Sequence, residues 1–213
     1  MLTNLKRLEW WLYKQRKRLG LRNRSASIIS DNCNAGIILH DLGLRFNTPT
    51  VNLFFRPTDF LLFLQDLPRH LTMIPSAVND SSVTWPVGDL EGIHIHFMHY
   101  ENFDQAKEKW VERAKRVDFS NLFIMMTDKN DCSYEQIRKF DLLPFKHKVI
   151  LTHKAYAEFD SAYHIPGFEE QAEVGTLTDF KPGFWRRRYI DDFDYVAFLN
   201  GASVPELNAA RNN

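Results

Sequence analysis

Short apolar runs that end abruptly in polar groups recur along this chain. Residues 25–36, SASIISDNCNAG, pass through Ile28 and Ile29 and stop at Asp31, Asn32, Cys33 and Asn34. Asn121 to Asp128 is almost continuously apolar, the pattern of a strand covered on both faces. Lys148 to Thr152 reads as another buried strand and leads into His153 and Lys154. Glu91 to Tyr100 alternates, setting His94, His96, Met98 and Tyr100 on one face and Ile93, Ile95, Phe97 and His99 on the other. Four strand ends thus offer polar groups to one carboxyl edge, where open α/β sheets hold their ligands.

Between these runs the period lengthens to that of helices. Ala35 to His40 opens a short helix closed near Gly43, and Val51 to Phe55 reads as a buried strand ended by Pro57. Pro57-Thr58-Asp59 before FLLFLQDL suits a helix start, because proline has no amide to waste there and the acid complements the dipole. The stretch from Pro75 to Pro86 is a loop with room for a hairpin. Asn102 caps a helix to about Val117, and Ser133 to Gln136 forms a capping box for a helix through Phe140. Strand, helix, strand over residues 121–152 is a parallel crossover. The prediction is an α/β fold: a three-layer Rossmann-like domain with a mostly parallel sheet over residues 25–200. Val196 to Asn200 is its last helix, stopped by Gly201, and residues 201–213 are expected to fray.

Residues 1–24 differ in character. Leu5, Leu8, Trp11, Leu12 and Leu19 recur at helical spacing among eight lysines and arginines, with Glu9 the one acid. The expectation is a basic amphipathic arm able to lie on an anionic membrane surface or to dock on protein. The whole chain has 27 bases and 27 acids, so nothing argues for nucleic acid, and the part beyond residue 24 is net acidic by seven. Cys33 and Cys132 alone make no disulfide framework and fit a reducing compartment. Without a membrane-spanning run or a signal-peptide pattern, the expected location is cytoplasmic, with the arm offering peripheral attachment at the inner face of the membrane.

A cysteine in a strand-to-helix loop suits nucleophilic transfer, because a helix amino terminus and an imidazole both favour the thiolate. Cys33 is the candidate nucleophile, His153 the base with His99 as alternative, and Asp128 the orienting carboxylate; amides of Asn34 and Ala35 would hold an oxyanion. Asn32, Asn34, His96, Lys154, Arg186, Arg187 and Arg188 are candidates for holding substrate, the arginines within the aromatic segment Phe184 to Tyr189. A histidine–carboxylate metal site at His94 and His96 and a divalent-ion site at Asp192-Phe193-Asp194 are weaker alternatives. The expectation names no metal, and the cofactor is left unknown.

The ordered blocks ISDNCNAG, DLGLRFNTPTVNLF, IHIHFMHY, NLFIMMTD, LPFKHKVILTHK, VGTLTDF and FDYVAFLN resemble the bacterial family catalogued as domain of unknown function nineteen-nineteen. The resemblance runs from about Ala26 to Asn200 and leaves the basic arm outside. It covers Asn32, Cys33, His96, His99, Tyr100, Thr127, Asp128, Thr152, His153 and Lys154, but the family pattern does not call for histidine at position 94. Members often carry an exopolysaccharide-biosynthesis label. The resemblance implies an α/β fold and an association with surface-polysaccharide gene clusters; joined to the candidate nucleophile and base, the leading expectation is a transferase of capsule or exopolysaccharide assembly acting on an activated or lipid-linked sugar. Acyl transfer is favoured over glycosyl transfer, and a non-catalytic scaffold docking assembly enzymes at the membrane is the opposing expectation.

Overall fold

The computed structural model describes residues 2–183 and 186–211. Strands β1 (Ser27–Ser30), β5 (Leu122–Thr127), β6 (Lys148–Thr152) and β7 (Ala162–His164) form a parallel sheet in that order. Strands β2 (Ser76–Val78), β3 (Val87–Leu90) and β4 (Ile93–His96) form a small antiparallel sheet.

Alternation within the parallel strands divides the core in two. Ile28, Phe123, Met125, Val149 and Leu151 face one way, toward α2 (Asn34–Leu42), α7 (Tyr195–Leu199) and α8 (Val204–Arg211). Ile29, Ile124, Met126 and Ile150 face the other, toward α3 (Pro57–Gln65), α4 (Leu67–Thr72), α5 (Phe103–Ala114) and α6 (Tyr134–Asp141). Both faces are apolar because both are covered, which gives the three layers. Asn102 caps α5, and the Ser133–Gln136 capping box opens α6.

Several elements differ from the sequence expectation, among them strand β7, within a stretch whose pattern reads as irregular, and the three that follow. Val51 to Phe55 is not a strand: Phe54 makes an isolated two-way bridge to His96, and the Phe55 amide donates to Asp31 O at 2.8 Å. This single extended step stitches the small sheet to the free edge of β1. Strand β4 ends at His96 rather than Tyr100, because Phe97 turns into the core and the Tyr100 amide closes a turn on its carbonyl. The expected frayed tail is instead α8, whose Val204 and Leu207 are buried in the core.

Helix α1 (Leu2–Gly20) is bound to the body through its polar side. Arg187 stacks on Tyr13 at 3.8 Å and pairs with Glu9 at 2.6 Å, while Arg188 lies over Trp10 at 4.9 Å. Buried Arg188 also pairs with Asp41 at 2.7 Å and Asp191 at 3.1 Å, tying α1, α2 and the 186–191 segment together.

Candidate functional site

At the carboxyl ends of β1 and β5, buried side chains fix the backbone from which the site is built. Asp31 is fully enclosed and accepts from the Thr127 amide at 3.1 Å and the Thr127 hydroxyl at 2.8 Å. Thr127 Oγ1 in turn accepts from the Asn32 side chain at 2.9 Å. Removal from water pushes the Asp31 carboxyl up to about 7, since the charged form loses most on burial. One strand over, Asp128 Oδ2 accepts from the His153 amide at 2.8 Å and meets His153 Nδ1 at 2.5 Å, and Oδ1 accepts from the Val174 amide at 2.9 Å. The expected pairing of His153 with Asp128 therefore exists as a contact. It spans adjacent strand ends and anchors the loop that follows Glu173.

A cleft of about 430 Å³ opens beside this anchor, along the seam between the two sheets. Asn32, Cys33 and Asn34 come from the end of β1, and Lys129 and Asn130 from the end of β5. Phe54, Trp85, Met98 and His99 come from the stitched side of the small sheet, and residues 175–178 close the far wall. Lys129 Nζ donates to the Gly175 carbonyl at 3.3 Å, and a side chain at Gly175 would collide with the Phe168 ring. Asn130 and Asp131 both take positive φ, 60° and 61°, turning the chain sharply away from β5.

The predicted residues divide between this cleft and other places. Cys33 and His99 both line it, whereas His153 and Asp128 do not. The Cys33 thiol donates to the Leu53 carbonyl at 3.6 Å, burial pushes its pKa up, and among the described residues no hydrogen bond joins it to an imidazole. Of the two expected oxyanion donors, the Asn34 amide is occupied by Asn32 Oδ1 at 3.0 Å. The His99 ring is exposed and has no hydrogen-bond partner among the described residues; its amide donates to Asn52 O.

His96 stacks flat on Phe54 at 4.4 Å, meets Trp85 Nε1 at 3.3 Å, and has its pKa lowered by burial and then by Arg56. It thus supports the cleft wall from behind, while His94 is exposed and 3.7 Å from Asp89. Lys154 lies over Tyr156 at 5.5 Å, outside the cleft. Arg187 and Arg188 are engaged with α1 and its neighbours, and Arg186 covers Phe180 at 4.2 Å. The arginine run holds protein here, where substrate was expected; Phe184 and Trp185 lie outside the described residues. Asp192 pairs with Lys181 at 2.7 Å, and Asp194 caps α7 and pairs with Lys17 at 3.5 Å, so neither is held ready for an ion.

Sequence reasoning missed Phe54, Trp85, Lys129 and Asn130 as cleft residues. A signal existed for the last two, which directly follow the strand end at Asp128, and for Gly175 to Thr178, which fall within the VGTLTDF block. Nothing local marks Phe54 or Trp85, whose position depends on the stitch between sheets.

Fold and site together define a mixed α/β protein with a ligand-sized cleft at the carboxyl edge of a parallel sheet. The family model described as domain of unknown function, DUF1919, matches residues 4–200, and the chain belongs to that family. The match takes in nearly all of α1, which the sequence reading had left outside; the ion pairs that bind this helix to the body are the physical reason to count it in. An uncharacterised protein of Haemophilus influenzae is 47% identical over 182 residues, covering 85% of this chain and 87% of its own length.

Proposed function

We propose that the protein is a transferase acting on an activated sugar, moving an acyl group onto a sugar hydroxyl, in the assembly of a bacterial surface polysaccharide. The observation that carries this reading is the make-up of the cleft: the unengaged His99 imidazole among the Phe54 and Trp85 rings, the Asn130 amide and the Thr176 and Thr178 hydroxyls. Aromatic faces cover the C–H face of a sugar, amides and hydroxyls pair with its hydroxyl groups, and Lys129 offers a positive charge to an anionic carrier. The polysaccharide setting rests on the family resemblance alone.

In this reading His99 takes the proton of the attacking sugar hydroxyl. The oxygen bonds to the acyl carbonyl carbon, and the donor's leaving group departs with its electron pair. Direct transfer is favoured over a Cys33 thioester because burial keeps the thiol protonated and its bond goes to a carbonyl. Glycosyl transfer through an ion at Asp192 and Asp194 has less support, both carboxylates being engaged.

Transfer from an acyl thioester to a panel of nucleotide-linked and polyprenyl-linked sugars, followed by mass spectrometry, tests the reading. His99→Gln is expected to slow transfer by about 10²-fold or more, the usual scale of a general base, and Cys33→Ala by less than about tenfold. An acyl group trapped on Cys33, with activity lost in Cys33→Ala, would move the nucleophile to the protein. No acyl product across the panel would overturn the transferase reading itself.

A further inference from the structure

A terminal helix that merely completes a core turns its apolar side inward, and α1 does the reverse. At about 100° per residue, Leu5, Leu8, Trp11, Leu12 and Leu19 fall within an arc of about 120°. All five face solvent, with exposures from 45% to 83%. The opposite side carries Trp10, Tyr13 and Lys17, which stack on Arg188, Arg187 and Tyr195. The body thus holds the helix by cation–aromatic contacts and presents its leucines outward.

The margins of the apolar arc are cationic. Arg16 lies on one side and Arg7 on the other by the same angular count, while Arg18, on the same side as Arg7, donates to the Asp41 carbonyl at 2.7 Å and so holds the helix to the body. Arg7 and Arg16 make no ion pair among the described residues, and the helix's acid, Glu9, is neutralised by Arg187 at 2.6 Å. Beside the arc, a groove of about 640 Å³ runs between Leu5, Leu8, Leu12 and Arg187.

We infer that this outward face of α1 docks the protein on an anionic lipid bilayer, with Trp11 and the leucines entering the interface and Arg7 and Arg16 meeting headgroup phosphates. Charge complementarity selects this occupant. A second copy laid face to face would set arginine margins against arginine margins, with Glu9 already spent on Arg187. The body-facing side of the same helix adjoins the cleft wall in sequence: Phe180, two residues beyond Thr178, packs edge-on against Trp10 at 5.5 Å. The inference rests on α1 and does not depend on the chemistry in the cleft.

Co-sedimentation of the full chain with vesicles of phosphatidylcholine, alone or with about one third phosphatidylglycerol, tests it. Binding to the anionic vesicles alone is expected, falling at least tenfold as salt rises from about 0.1 M to about 1 M and the screening length shrinks from about 10 Å to about 3 Å. Leu8→Glu with Leu12→Glu should abolish it, and Arg7→Gln with Arg16→Gln should weaken it roughly 25-fold, at about fivefold per cation. All four positions are largely exposed, so the unfolding midpoint should stay unchanged; Trp11→Glu repeats the test should a leucine variant fail to fold. Equal binding to neutral vesicles, or to neither kind, overturns the inference. So does a dimer in light scattering that Leu8→Glu dissociates while vesicle binding is absent.

Discussion

Asp31 shows how a single carboxyl can both order and burden the site. It joins two strand ends through Thr127, yet enclosure raises its pKa from 3.8 to about 7. A carboxyl raised in the folded state binds its proton more tightly there than in the unfolded chain. Its contribution therefore favours the fold at low pH and is lost as pH climbs from about 4 to about 7, with a slope of up to about 1.4 kcal/mol per pH unit. Asp31→Asn removes that titration. Urea unfolding should show the wild type losing about 2 kcal/mol more than the variant between about pH 5 and pH 7; parallel curves would mean that the carboxyl titrates normally. At this same scale the sequence was partly legible. Strand-end residues such as Asn32, Cys33, Asp128 and His153 stand out from one apolar run each, but which of them face one another does not, because that depends on strand order.

Elements were legible where local chemistry decides them. The Asn102 cap, the Ser133–Gln136 capping box, the Pro57 start, the Gly43 stop and the buried strands β5 and β6 follow from residues within a few positions of each boundary. Helix α8 was not: VPELNAAR has a weak pattern and follows a glycine, and it persists because Val204 and Leu207 find the surface left by β7 and α7. Removing that anchor should show its worth. Leu207→Ala, at a site 8% exposed, is expected to cost about 2 kcal/mol in chemical unfolding, the low end for a buried leucine. A change below about 0.5 kcal/mol, the range of ordinary surface substitutions, would show that the helix is ornamental to stability.

Across the whole molecule, charge joins what packing leaves separate. Arg188 sits among Asp41, Asp191 and Trp10, and so connects the arm, the first helix after β1 and the ribbon that leads back to the cleft. Truncating it strands two carboxylates out of water, a loss of about 3–5 kcal/mol for a buried pair of this kind. Arg188→Ala should therefore lower the unfolding free energy by about that much, and limited proteolysis should cut first near the junction of α1 and β1. An unchanged stability would assign the ion pairs to surface decoration.

Taken alone, the sequence determined the α/β class, the covered parallel strands, the capped helices, the amphipathic arm and the polar groups at the strand ends. These depend on periods of two and 3.6 residues and on caps, which are short-range properties of the chain. Tertiary structure decided that Phe54 stitches two sheets, that His99 shares a cleft with Cys33 while His153 turns to Asp128, and that the arginine run grips α1. Those outcomes are set by contacts between residues up to 178 positions apart, as in the pair Glu9 and Arg187, and no local pattern encodes which distant partner a side chain will meet.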